Sequence, residues 1–399
     1  MIEMRLAVVL GFGLGLAGAA AGCGGDAGDA GDAGDDDASA RDAALADAAA
    51  PDTGQPGPDA ATPDAGAPDA FVLQPGCFTG GATPQLDLSG PVVNWTWNDP
   101  HVVKVGASYW MYASATNLFQ FPVRLYRLVS SDATTWSLNP TTPILDVAAD
   151  GQWDHGGVET PAAVFWNGQY HLFYTAYAHT IGDPLHSAGE FRVGHAVSSD
   201  GVSFTRSAGP LLAPSGSDAD ASNDWYAFIV AEPAPVVKDG TLYLYFTAVG
   251  VDATLATSLQ VIGMTSTTDG TAWTPPALAL RPDQTLYPRA QDWVGYSTPN
   301  AVVLGDQLNL FFDVAHQPAG GEWKQLRVHH AQSADGRTGW VHDPRAIRAV
   351  GDFPWAIGEL RAPHALVDGN TLRLWLAGHE LDGTAPEHFA IGMLTCPLP

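Results

Sequence analysis

The chain has 399 residues, with 43 acidic against 17 basic side chains and a formal net charge of −26 at neutral pH. So large a negative surplus argues against nucleic acid or an anionic membrane surface as a partner. The length fits two average domains or one large β-domain, so the domain count must come from the pattern of residues.

The first segment, MIEMRLAVVLGFGLGLAGAAAGC, has a polar start, an apolar run from Leu6 and small residues before Cys23. That is the order of an export signal, and the run is too short and too Gly-rich for a membrane-spanning helix. Small residues directly before a cysteine resemble a bacterial lipobox, which implies a lipid on Cys23. The alternative is an ordinary cleaved signal, residues 1–23, in which Cys23 is incidental.

Residues 24–70 contain 12 Asp and one Arg with almost no large apolar side chain. Such a stretch cannot offset the entropy of ordering and reads as a disordered, self-repelling tether. Behind a lipid-bearing cysteine it would hold a soluble domain away from a membrane. The expected location is the cell envelope, lipid-anchored, or otherwise the exterior. The folded part is expected over 71–399. Cys77 and Cys396 stand at its two ends, and in an exported protein they are expected to form a disulfide.

Five segments then share one shape: NDPHVVKVGASYWMYASA from Asn98, ETPAAVFWNGQYHLFYTA from Glu159, AEPAPVVKDGTLYLYFTA from Ala231, STPNAVVLGDQLNLFFDV from Ser297 and RAPHALVDGNTLRLWLAG from Arg361. Their prolines, Pro100, Pro161, Pro233, Pro299 and Pro363, are 61, 72, 66 and 64 residues apart, regular enough for one structural unit per repeat. Each apolar segment reaches a glycine turn and leaves through an alternating aromatic strand, a hairpin signal. In four units a second hairpin follows, with a turn of the kind Ser/Thr-x-Asp, as in VGHAVSSDGVSFT. Two hairpins make a four-stranded blade, and helical periodicity is nowhere sustained. The fifth unit ends one strand short, and the segment PQLDLSGPVVNWTW is expected to supply that strand and close a ring. The predicted fold is all-β, a single five-bladed β-propeller.

The X-Pro strand starts and the SSDGVSFT-type hairpins resemble the propellers of glycoside hydrolase families 43 and 32, over about residues 90–399. The resemblance implies an exported carbohydrate-active enzyme, an inverting glycosidase acting on an oligo- or polysaccharide. It also implies that the residue before each blade's proline points into a central funnel. There the family holds a base Asp in blade one, an Asp that sets pKa and orientation in blade three, and an acid Glu in blade four. NDP makes Asp99 the candidate base. Blade three has Glu232 where the family has Asp, and blade four has Thr298 where the family has its acid. A hydroxyl such as Ser297 or Thr298 cannot replace a carboxylic acid at neutral pH.

Inverting hydrolysis needs two carboxyl groups roughly 6.5–9.5 Å apart, one protonated and one ionised. Asp99, Glu232 and Glu159 are the candidate catalytic acids, with Asp99 activating water and Glu232 protonating the leaving group. A carboxylate reaching the funnel from blade four, for instance Asp292 or Asp313, would favour an enzyme. A non-catalytic glycan-binding propeller that has lost the acid is the competing reading. Tryptophans recur ahead of the prolines, namely Trp97, Trp153, Trp225, Trp293 and Trp355, and either stack on sugar faces or pack between blades. His101 and His364 follow their prolines and either bind sugar hydroxyls or an axial ion, or are structural. Arg361 and Glu359 are expected to pair. The sequence has no zinc-ligand spacing or phosphate loop; no cofactor is expected beyond that axial ion, and the protein is expected to be a monomer.

Overall fold

In the computed structural model the described residues are 73–118, 120–180, 183, 185–216, 224–255, 257–319, 321, 323–380 and 388–399. The predicted signal segment with Cys23 and the predicted tether of residues 24–70 lie outside them. The folded unit is all-β, and its helical content among the described residues is three single turns, Pro75–Cys77, Ala188–Glu190 and Arg289–Gln291.

Each repeat proline lies within the innermost strand of an antiparallel group: Trp95–Val105, Gly157–Trp166, Ile229–Lys238, Trp293–Leu304 and Glu359–Asp368. These are called the first to fifth inner strands. Each pairs with a second strand, Ser108–Asn117, Gln169–Tyr177, Thr241–Asp252, Gln307–His316 or Thr371–Glu380. A third strand and a short outer strand follow. The third and fourth groups share one hydrogen-bonded sheet, joined by a single parallel bridge between Gln260 and Gly295. Every inner strand packs against the next, and the fifth against the first, so the arrangement closes on itself as a β-propeller.

The core lies between neighbouring groups. Leu125, Leu145, Leu172 and Tyr174 fill the space between the first and second, and Phe173, Leu244, Phe246 and Val261 that between the second and third. Trp97, Met111, Trp375 and Ile391 close the ring between the first and the fifth. Both faces of most sheets are therefore covered, which is why the inner strands read as apolar runs rather than as an alternation. The turns of the outer hairpins behave as the Ser/Thr-x-Asp pattern predicts. In the second group Ser198 Oγ donates to Asp200 Oδ1 at 2.7 Å, and that oxygen accepts the N–H groups of Val202 and Ser203. The turn then docks on the preceding group, where Tyr112 Oη donates to the Gly201 carbonyl at 2.9 Å.

At the seam Cys77 and Cys396 form a disulfide across 319 residues, with Cα atoms 5.1 Å apart. The strand that completes the fifth group is Thr79–Gly80, paired with Thr395 and Leu394. It lies just ahead of the segment predicted for that role, because the disulfide brings the residues directly after Cys77 alongside the chain end. PQLDLSGPVVNWTW contributes a bridge from Leu86 to Ile391 and then the start of the first inner strand.

Candidate functional site

All five residues before the repeat prolines share one backbone conformation. Asp99, Thr160, Glu232, Thr298 and Ala362 have φ of 52°, 49°, 55°, 44° and 50°, the left-handed region that non-glycine residues rarely enter. In each inner strand the pairing register slips at this point, for example between Asn98 and His101 or between Ala231 and Ala234. The proline has no N–H for the ladder, so the strand bulges there. Strain of this kind costs on the order of 1–3 kcal/mol per residue and persists only where its surroundings hold it.

What holds it is a repeated staple. Fourteen residues after each proline stand Ser114, Thr175, Thr247, Asp313 and Ala377, opposite the bulge on the second strand. Ser114 Oγ accepts the Thr160 N–H at 2.8 Å, and Thr175 Oγ1 accepts the Glu232 N–H at 2.7 Å. Thr247 Oγ1 accepts the Thr298 N–H at 3.0 Å, and Asp313 Oδ2 accepts the Ala362 N–H at 3.0 Å. Four of the groups thereby satisfy the amide that the bulge of the next group frees. The fifth group has Ala377 at this position, which has no side-chain acceptor.

The bulges carry a cluster of acids around one guanidinium. Arg361 Nη2 lies 3.7 Å from Glu232 Oε1 and 4.0 Å from Asp99 Oδ1, and its Nη1 lies 3.8 Å from Glu359 Oε2. The expected Arg361–Glu359 pair is thus one arm of a larger network. Glu232 Oε2 also accepts from Thr247 Oγ1 at 2.6 Å and from the Thr298 N–H at 2.8 Å. Asp313 accepts from the hydroxyls of both Ser297 and Thr298. Of the two candidate acids from blade four, it is Asp313 that joins the cluster. Asp292 caps the short turn before the fourth inner strand.

Burial sets the proton affinities. Glu159 is pushed up to about 8, first by desolvation and then by the charge of Asp99. Desolvation and then Asp313 raise Glu232 to about 7. Asp99 and Asp313 are raised by burial too, with Arg361 the largest opposing influence on each. Glu159 Oε2 is buried without a hydrogen bond. The predicted acids Asp99, Glu159 and Glu232 are therefore neighbours in one site.

The other predicted contacts have different surroundings. His101 Nε2 donates to the Ala163 carbonyl and His364 Nε2 to the Val102 carbonyl, both at 2.8 Å. The two rings lie 4.2 Å apart, and burial lowers His101 to about 4. They join adjacent inner strands as neutral imidazoles, beside a small axial cavity ringed by the five prolines. Trp97, expected on a sugar face, is fully buried against Trp95 and Tyr126. Trp153 stacks on Tyr174, Trp225 on Phe246 and Trp355 on Phe353. A Cβ on Gly392 would meet Trp355 at 2.2 Å, so that glycine makes room for the ring. Trp293 packs edge-on to Tyr287 beneath the guanidinium of Arg327. All five tryptophans pack against neighbouring rings; Trp97 and Trp355 are buried, and Trp153, Trp225 and Trp293 are partly exposed. Among the described residues no group of three His, Cys, Asp or Glu is arranged to hold a metal ion.

No family model matches the chain. Among curated proteins it is similar to the 1,2-beta-oligomannan phosphorylase of Thermoanaerobacter sp. (strain X514), 31% identical over 112 residues, which is 27% of this chain and 34% of that protein. The match thus spans about a third of that relative's length. Solved structures resemble it over most of the folded part. One titled simply as a glycoside hydrolase aligns with a TM-score of 0.59 at 14% identity, over 79% of this protein and 90% of that one. A thermostable family-43 glycoside hydrolase aligns with 0.56 at 15% identity, over 76% and 90%. Zg3597, a family 117 glycoside hydrolase of Zobellia galactanivorans, aligns with 0.52 at 15% identity, over 76% and 85%. The chain has the fold of glycoside hydrolase-like β-propellers.

Proposed function

We propose that this protein is a five-bladed carbohydrate-active propeller that hydrolyses a glycan with inversion, using Asp99 as general base and Glu159 as general acid. The observation that carries the reading is Glu159, a buried acid with an unbonded oxygen, pushed up to about 8 by burial and then by the charge of Asp99. A leaving-group oxygen needs such a donor, and a carboxylic acid held protonated by an apolar site provides it. Burial raises Asp99 above the ordinary aspartate range, and Arg361 beside it is the largest influence in the opposite direction, towards the ionised form that a base needs. Glu232, the acid expected from the sequence, has one oxygen occupied by Thr247 and Thr298 and suits a supporting role.

The name of the Thermoanaerobacter relative raises phosphorolysis as the reaction. The charge balance favours water instead. Four carboxyl groups surround Arg361, and a dianionic co-substrate would meet repulsion there. The same balance favours a neutral glycan over a uronate or a sulfated one.

Glu159→Gln tests the assignment. It should slow hydrolysis of glycosides with poor leaving groups far more than that of activated aryl glycosides, which need little protonation. An equal loss on both would point to another acid. One observation favours a second reading, glycan binding without turnover. Ser297 and Thr298 occupy the place where the family resemblance implies an acid, and neither can protonate a leaving group.

For the cell, we propose a monomeric envelope lipoprotein anchored through Cys23. Cys23→Ser should move the protein from the membrane to the soluble fraction, and a wild-type protein that fractionates as soluble and unlipidated would overturn the anchoring.

A further inference from the structure

The second-strand position that faces each bulge carries Ser114, Thr175, Thr247 and Ala377 in four groups and Asp313 in the remaining one. A hydroxyl is enough to staple an amide, so a carboxylate at this one position asks for a reason. Asp313 is fully buried. Its two oxygens take hydrogen bonds from Ser297, Thr298 and the Ala362 amide. Thr298 gives its own N–H to Glu232 at 2.8 Å, and Ala362 directly follows Arg361. One side chain thereby ties down the neighbours of both the acid and the cation.

We propose that Asp313 is a positioning residue of the axial site, fixing Glu232 through Thr298 and Arg361 through Ala362. This rests on the reading of the acid cluster as the reactive site. A second effect follows from charge. Glu232 faces Asp99 and Glu159 from the first and second inner strands, Arg361 from the fifth and Asp313 from the second strand of the fourth group. Tyr177 and Glu359 border the same cluster. Of the acids, Asp313 is the one that raises the proton affinity of Glu232 most. It adds to burial, the larger cause, in holding the Glu232 proton at pH values where an ordinary glutamate is ionised.

The experiment is a carbon-13 NMR titration of glutamate side-chain carboxyls in the full-length protein, with Glu232→Gln assigning the resonance. It reads a proton rather than turnover, so its outcome is separable from that of the hydrolase reading. In Asp313→Asn and Asp313→Ser the Glu232 midpoint should fall below about 7, and should stay above the ordinary glutamate range because burial, the larger cause, is retained. If hydrolysis is found, the pH profile should shift with it. An unchanged midpoint in a folded variant overturns the proposal and leaves Asp313 a staple only. Should neither variant fold, Thr298→Val removes one partner of Asp313 and leaves every carboxyl in place. It must then displace the Glu232 midpoint, and no displacement overturns the proposal equally.

Discussion

Arg361 holds its Nη2 3.7 Å from Oε1 of Glu232, a contact between the fifth and third inner strands with both side chains almost wholly buried. Two inner strands that are not neighbours in the ring are thereby joined across its axis. The same nitrogen reaches Asp99 on the first strand, so one cation bears on three groups.

Arg361→Met should therefore destabilise in a pH-dependent way. Removing one partner of a buried ion pair typically costs about 3–5 kcal/mol because it strands the other charge. That loss should appear in thermal or urea unfolding at pH 8, where the acids must ionise. It should shrink at pH 5, where Glu159 and Glu232 hold their protons and less charge is stranded. Equal losses at both pH values would show that the side chain acts by packing alone.

Stability should also depend on pH in the wild type. The Glu159 pKa is raised when folded, so its contribution is fully present below the unfolded value of about 4.3. It is lost as pH rises towards about 8. The turn aspartates have the opposite sign: backbone N–H groups depress Asp200 and Asp269 to about 2, and their contribution is lost as pH falls from about 4 towards that value. Melting temperature should thus peak on the acid side of neutrality, and Glu159→Gln should flatten the fall above the peak. A variant with an unchanged slope would contradict the burial of Glu159.

The staple makes a separate prediction. Thr175 Oγ1 accepts the Glu232 N–H and shares a 2.5 Å hydrogen bond with Thr160 Oγ1. Thr175→Val keeps the shape and leaves both groups buried without that partner. It should cost about 1–3 kcal/mol in urea unfolding, whereas Thr175→Ser should recover most of it.

Much of this was legible in the residues because the repeat is strict. Aligned on their prolines, the five segments give the inner strands, the turns and the two acids Asp99 and Glu232 at bulged positions. The strict offset of 14 residues from proline to Ser114, Thr175, Thr247 and Asp313 was equally present. It was hidden inside aromatic strands such as LYLYFTA, where a threonine reads as a strand former. Arg361 looked like the local partner of Glu359, since a sequence shows a neighbour two residues away and not an acid across a ring axis. The tryptophans are ambiguous for another reason: a recurring ring fits a sugar platform and an inter-blade core equally well, and burial decides only for Trp97 and Trp355.

At the seam, Cys396→Ser should lower stability by about 2–4 kcal/mol, the usual effect of opening a long disulfide loop. A reducing agent should lower the wild-type melting temperature to that of the variant and leave the variant unmoved. A wild type indifferent to reduction would mean that the strand pairing of Thr79–Gly80 alone holds the ring closed.

The most direct measurement is product analysis of wild type, Asp99→Asn and Glu159→Gln on a panel of neutral plant, fungal and bacterial polysaccharides, following the anomeric signals by proton NMR. The wild type should hydrolyse a glycan with inverted configuration in the first product formed. Asp99→Asn, which keeps the shape of the base and removes its charge, should lose nearly all turnover while glycan binding persists. Binding without turnover by the wild type, or turnover that survives Asp99→Asn, would contradict the hydrolase reading.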